Sequence, residues 1–96
     1  MPAQPILRVV IIDDHEMLLE SLVRLIGSQG DLEVVGKASS CAEGLSQIEH
    51  HLPDAVVTDY RLPDGDGAQI ARRVAETWPY GSIHRTQTDG AQAGTR

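Results

Sequence analysis

Ile6-Leu7-Arg8-Val9-Val10-Ile11-Ile12-Asp13-Asp14 is a short, β-branched and nearly unbroken apolar run that ends on two adjacent carboxylates. Continuous rather than alternating hydrophobicity is the pattern of a strand covered on both faces, as in a parallel sheet with helices on either side. A second run, Ala55-Val56-Val57-Thr58, ends in the same way on Asp59. If the two runs are adjacent parallel strands, Asp13, Asp14 and Asp59 gather outside the carboxyl ends of the strands, where α/β sheets place their ligands. Three carboxylates there make a site for a hard divalent cation.

The intervening sequence supports strands alternating with helices. From 15 to 29 the apolar positions Leu18, Leu22, Leu25 and Ile26, widened by Leu19 and Val23, form the stripe of an amphipathic helix that Gly30 ends. Leu32 to Ala38 reads as a second strand around Val34 and Val35. Ser40 and Glu43 then stand at capping-box spacing before a helix whose inner face is Ala42, Leu45, Ile48 and Leu52. Pro53 stops that helix, and 54–58 is the third strand, with Asp59 at its tip. After the turn-rich Leu62-Pro63-Asp64-Gly65, Asp66 caps a third helix with Ile70, Ala71 and Val74 inward. The order implies an α/β domain built on a parallel sheet.

Composition narrows the functional classes. Ninety-six residues, 41% hydrophobic with no Phe, hold one small domain with an aliphatic core. A net charge of −6, with Lys37 the only lysine, argues against a nucleic-acid surface. No signal peptide or membrane span is visible. The single cysteine, Cys41, excludes an internal disulfide and suits a reducing cytoplasm; it reads as a small buried or half-buried hydrophobe. Beyond Pro79 no apolar period of either kind remains. Residues 1–79 are therefore read as the domain and 80–96 as a flexible tail.

With these residues in place, the chain resembles the receiver domain of bacterial two-component response regulators. The resemblance rests on Asp13-Asp14 after the first strand, Asp59 after the third, and the string Asp59-Tyr60-Arg61-Leu62-Pro63-Asp64-Gly65-Asp66-Gly67, most similar to the NarL/LuxR-type subfamily. It covers roughly residues 6 to 78 and implies a flavodoxin-like parallel sheet flanked by helices, cut to about three β-α units. It further implies that Asp59 is the phosphoacceptor, fed by a sensor histidine kinase or a small phosphodonor. In the same way Asp14 would ligate Mg²⁺ directly, Asp13 largely through a metal-bound water, and Arg61 through its backbone carbonyl. The cation would neutralise both Asp59 and the approaching phosphoryl group. Receivers of this type are not separate enzymes; they catalyse only their own phosphorylation and dephosphorylation.

The departures from the family pattern carry expectations of their own. A complete receiver has five strands, the fourth ending in Ser or Thr and the fifth in a Lys-Pro pair. Lys37 follows the second strand and cannot be that lysine, while Thr86 and Thr88 fall in the expected tail. No carboxy-terminal DNA-binding domain is present, so this chain is not expected to bind DNA. The third strand would have an unpaired outer edge and the first helix an uncovered apolar side, which invites a homodimer through the sheet edge or by strand exchange. The break at Pro79 and Tyr80 is read as the mark of a truncated or frame-shifted gene product, which sequencing of the source locus would check.

Other readings weigh less. A calcium loop on Asp64 and Asp66 would need ligands where Ala68 and Ala75 stand. A metal-dependent phosphatase with Asp59 as nucleophile would place a second acid two residues later, where the chain has Arg61. A phosphorylation-independent interaction or dimerisation module is the alternative, motivated by the missing Lys and Thr and by the exposed sheet edge. His15 reads as an exposed loop residue and His50-His51 as the carboxyl end of a helix.

Overall fold

Four parallel strands form the sheet of the computed structural model, which describes residues 6–77 and the strand at 82–86. In chain order the elements are β1 (Leu7–Ile12), α1 (Glu16–Gly27), β2 (Leu32–Ala38), α2 (Cys41–His51), β3 (Ala55–Asp59), a small antiparallel ribbon of β4 (Arg61–Leu62) and β5 (Gly65–Asp66), α3 (Gly67–Thr77) and β6 (Ser82–Thr86). The sheet order is β2-β1-β3-β6. Between β1 and β3 the order reverses, and this is where a doubly wound sheet opens a crevice at its carboxyl edge.

The unbroken apolar character of β1 follows from its position. Val10 and Ile12 face one core, with Ala38, Cys41, Ile48, Val56, Leu62, Ile70 and Val74 under α2 and α3. Val9 and Ile11 face the other, with Leu19 and Ala55 under α1. Each such buried aliphatic side chain contributes about 1.5–3 kcal/mol of transfer free energy. Arg8, the one charge in the run, holds the far end of the domain. Its Nη1 donates to the carbonyls of His51 (2.7 Å) and Leu52 (3.2 Å) at the end of α2, while Asp54 accepts from its backbone N–H. Leu52 turns the chain out of the helix in the left-handed region, φ 50°, directly before Pro53.

The helices depart from the sequence expectations in instructive ways. In α1 the inward residues are Leu19, Leu22, Val23 and Ile26, all within the expected stripe, while Leu25, from the same stripe, is 61% exposed. The helix ends at Gly27 rather than at Gly30, with Ser28 donating its hydroxyl to the Leu25 carbonyl at 2.7 Å. In α2 the buried face is Cys41, Gly44 and Ile48; Ala42 and Leu52 are exposed. Gly44 explains the shift. A Cβ there would stand 2.5 Å from Ile12 Cδ1, so the helix backbone itself rests on the sheet.

One expectation is overturned outright. The sequence leaves the outer edge of β3 unpaired, yet 82–86, assigned to a tail, forms β6 and pairs with β3 in parallel, from Ala55↔Ser82 to Asp59↔Thr86. A single strand of five residues needs no long periodic signal, which is why the pattern is silent there. The remainder of the expected tail, 80–81 and 87–96, lies outside the described residues. Among the described residues no helix is long and apolar enough to cross a membrane.

Candidate functional site

The carboxyl ends of β1 and β3 bring Asp13, Asp14 and Asp59 together. Parallel pairing sets Ile12 beside Thr58, so the residues that follow, Asp13 and Asp59, leave the sheet side by side. The backbone N–H of Asp13 donates to the Ala38 carbonyl at 3.0 Å, which prolongs the β1–β2 ladder into the site. Asp13 and Asp59 have side chains only 2% and 4% exposed, while Asp14 is 35% exposed at the mouth. Buried carboxylates demand partners or a cation.

His15 belongs to this cluster as well. The expectation of an exposed loop histidine holds for the ring, 63% exposed, but its Nδ1 points inward. It lies 3.0 Å from Asp13 Oδ1, 3.3 Å from Asp14 Oδ1 and 3.6 Å from Asp59 Oδ2. Asp13 Oδ1 also accepts the backbone N–H of His15 at 2.8 Å. One ligand atom from each of Asp13, Asp14, His15 and Asp59 falls within 4.8 Å of all the others. Nothing in the spacing of the sequence distinguishes this inward ring from an outward one; only its position directly after the acid pair could have raised it.

The local field raises the imidazole pKa from 6.5, first through the hydrogen bond to Asp13, then through the charges of Asp14 and Asp13, with Asp59 adding to them. A group whose pKa is raised on folding contributes stability in full below its unfolded value and loses it as pH rises through the folded one. In chelator, the thermal midpoint is therefore expected to fall as pH rises above 6.5. His15→Gln should lose that part of the slope. Parallel pH profiles for the two proteins would refute the contact.

Arg61 stands two residues beyond Asp59, at the start of β4, with its side chain exposed. Thr86, set aside in the sequence, occupies the β6 register position opposite Asp59. Lys37 ends up in β2, at the opposite side of β1 from Asp59, and takes no place at the site. Asp66 caps α3, its Oδ1 accepting the Gln69 N–H at 2.9 Å while Gln69 Oε1 accepts the Asp66 N–H at 3.1 Å. The cap role expected of Asp66 is thus the one it has. His50 and His51 close α2, their rings edge to face. Cys41 is buried and its thiol pKa is pushed up to about 11, mainly by burial.

The donor set fits a hard divalent cation, since carboxylate oxygens are what Mg²⁺ selects. Such an ion would be held by Asp13, Asp14 and Asp59.

Residues 9–90 match the family described as the response regulator receiver domain. The chain is 40% identical over 72 residues to the DNA-binding transcriptional activator DevR/DosR of Mycobacterium tuberculosis, covering 75% of this chain and 33% of that protein. It is 46% identical over 67 residues to NarL of the same organism, covering 70% of this chain and 31% of NarL. The chain thus spans about a third of the length of these relatives. Among solved structures, the signal receiver domain of NarL from Mycobacterium tuberculosis superposes with a TM-score of 0.76 at 35% identity, covering 92% of this chain and 73% of that one.

Proposed function

Because the chain belongs to the response regulator receiver domain family, we propose that it is the phosphoacceptor module of a two-component system, binding Mg²⁺ and taking a phosphoryl group on Asp59. The observation that carries this reading is the convergence of three carboxylates, two of them buried, at the crevice between β1 and β3. The donor is a sensor histidine kinase or a small phosphodonor. A carboxylate oxygen of Asp59 forms the bond to phosphorus as the phosphorus–nitrogen bond of the donor breaks, leaving an acyl phosphate and, as the departing group that takes up a proton, the kinase imidazole or, from phosphoramidate, ammonia. Mg²⁺, when bound, supplies the positive charge that lets two anions meet.

The residues of the chain orient this reaction. Burial of Asp59 in the crevice limits its rotamers, and Thr58, fully buried beneath it, donates its hydroxyl to the Asp59 carbonyl at 3.0 Å, fixing the backbone from which the nucleophile projects. Turnover is confined to the chain's own phosphorylation and dephosphorylation. With a net charge of −6 and one lysine, this segment makes no DNA contact, and its reduced cysteine suits the cytoplasm.

Phosphoramidate with Mg²⁺ is expected to place one phosphoryl group on the proteolytic peptide containing Asp59, labile to hydroxylamine and absent in chelator. A label on any other peptide would sink the assignment.

A further inference from the structure

Asp64 is the feature of the Asp59 loop that the proposed reaction does not use. A turn aspartate ordinarily caps the helix that follows it, but that task falls to Asp66. Asp64 instead reaches back across 23 and 22 residues to the start of α2, where Oδ1 accepts the Cys41 N–H at 2.7 Å and Oδ2 the Ala42 N–H at 3.0 Å. Ser40 Oγ takes the next N–H, that of Glu43, at 3.1 Å. The first turn of α2 is thereby satisfied, two of its donors by a residue of another element. The Ala42 and Cys41 N–H groups hold the Asp64 carboxyl below the usual carboxylate range, so both oxygens are charged acceptors at neutral pH.

The contact joins the two halves of the acid site. One half, Asp13 and Asp14, follows Ile12, and α2 rests on Ile12 through Gly44. The other half is Asp59 with the loop behind it, whose base is closed by the Gly67 N–H donating to the Tyr60 carbonyl at 2.7 Å and by burial of Leu62. The tip of that loop also meets α2 beside the Asp64 contact. A Cβ at Gly65 would stand 2.8 Å from Cys41 Sγ, and the Cys41 thiol donates to the Asp66 carbonyl at 3.6 Å.

We infer that Asp64 is a positioning residue: by clamping the Asp59 loop to the amino terminus of α2 it sets the distance between the Arg61 carbonyl and the Asp13-Asp14 pair, and so the affinity of the site for a divalent cation. The inference rests on the receiver reading of the acid site. It concerns geometry rather than charge at the ion, since Asp64 touches none of the ligands.

The test compares Asp64→Ala and Asp64→Asn with Ser40→Ala, which removes another cap at the same helix end without touching the loop. Mg²⁺ titrations followed by amide NMR are expected to show about tenfold weaker binding for Asp64→Ala, at the lower end of what outer-shell partners deliver. Asp64→Asn, with one acceptor left, should fall between, and Ser40→Ala should stay within about twofold of the parent, as a site with no shared ligand does. Amide hydrogen exchange of the metal-free chain reads the clamp separately: residues 60–67 should exchange faster in Asp64→Ala and not in Ser40→Ala. Unchanged exchange, or loosened exchange with unchanged Mg²⁺ affinity, overturns the positioning role. A parent chain that binds no Mg²⁺ overturns the receiver reading, while the exchange data still decide whether the clamp exists.

Discussion

Asp59→Asn is expected to abolish labelling by phosphoramidate while making the metal-free protein more stable at a pH where His15 is neutral. The two halves have one cause. The Asp59 side chain is 4% exposed and shares its crevice with Asp13 and Asp14. Asparagine keeps the shape, but its delocalised amide is a poor nucleophile, so the rate should fall by at least about a hundredfold, as for loss of any covalent nucleophile. The same change removes one of three crowded negative charges. Each like-charge pair about 4 Å apart costs roughly 1 kcal/mol even in high dielectric. The measurement is paired: labelling with Mg²⁺, and urea midpoints in chelator. Labelling at a rate near that of the parent would remove Asp59 as the acceptor. A lowered midpoint would mean that the cluster is not repulsive as folded.

The elements legible in the sequence are those whose reason is local or repeated. β1 was readable because burial on both faces leaves no polar position, and the acid residues because they end such runs. The Ser40 cap was readable as well, since its hydroxyl accepts the Glu43 N–H as the spacing implies. Its reciprocal partner was not: the Glu43 carboxylate bonds the N–H and hydroxyl of Ser39, one residue earlier. A one-residue choice between neighbouring serines is decided by how the chain enters the helix, which spacing does not encode.

What escaped the sequence is long-range. Asp64 looks like any turn aspartate until α2 is laid beside it, and no periodicity links residues 41 and 64. The faces of α1 and α2 are only partly legible because apolar spacing counts Leu25, Ala42 and Leu52 equally with their neighbours. Close approach of Gly44 to Ile12 turns α2 so that Cys41, Gly44 and Ile48, not Ala42 and Leu52, meet the sheet. The fourth strand escaped for a related reason. Ser82–Thr86 carries a single aliphatic residue, Ile83, and its strand character comes from pairing to β3 rather than from its own pattern.

Ile70→Ala should unfold most of the metal-free protein, and Mg²⁺ should refold a large part of it. Ile70 is fully buried in α3 and packs in the cluster with Leu62, Val56 and Ile48. Truncating such a residue costs about 2–5 kcal/mol, against the roughly 3–5 kcal/mol that a single core of this size supplies. The deficit falls on the helix that continues directly from the Asp59 loop, so the folded core and the acid site are lost together. An ion that binds only the folded state adds back about 2.7 kcal/mol at a concentration one hundred times its Kd, comparable with the loss. Circular dichroism with and without saturating Mg²⁺ measures both effects. Leu25→Ala, on the exposed face of α1, serves as the control and should move stability by no more than about 0.5 kcal/mol. An Ile70→Ala protein that stays folded in chelator would mean that α3 does not seal the core. One that unfolds and is not rescued would mean that folding and cation binding are separate events, contrary to a site assembled from the ends of β1, β3 and the loop that α3 anchors.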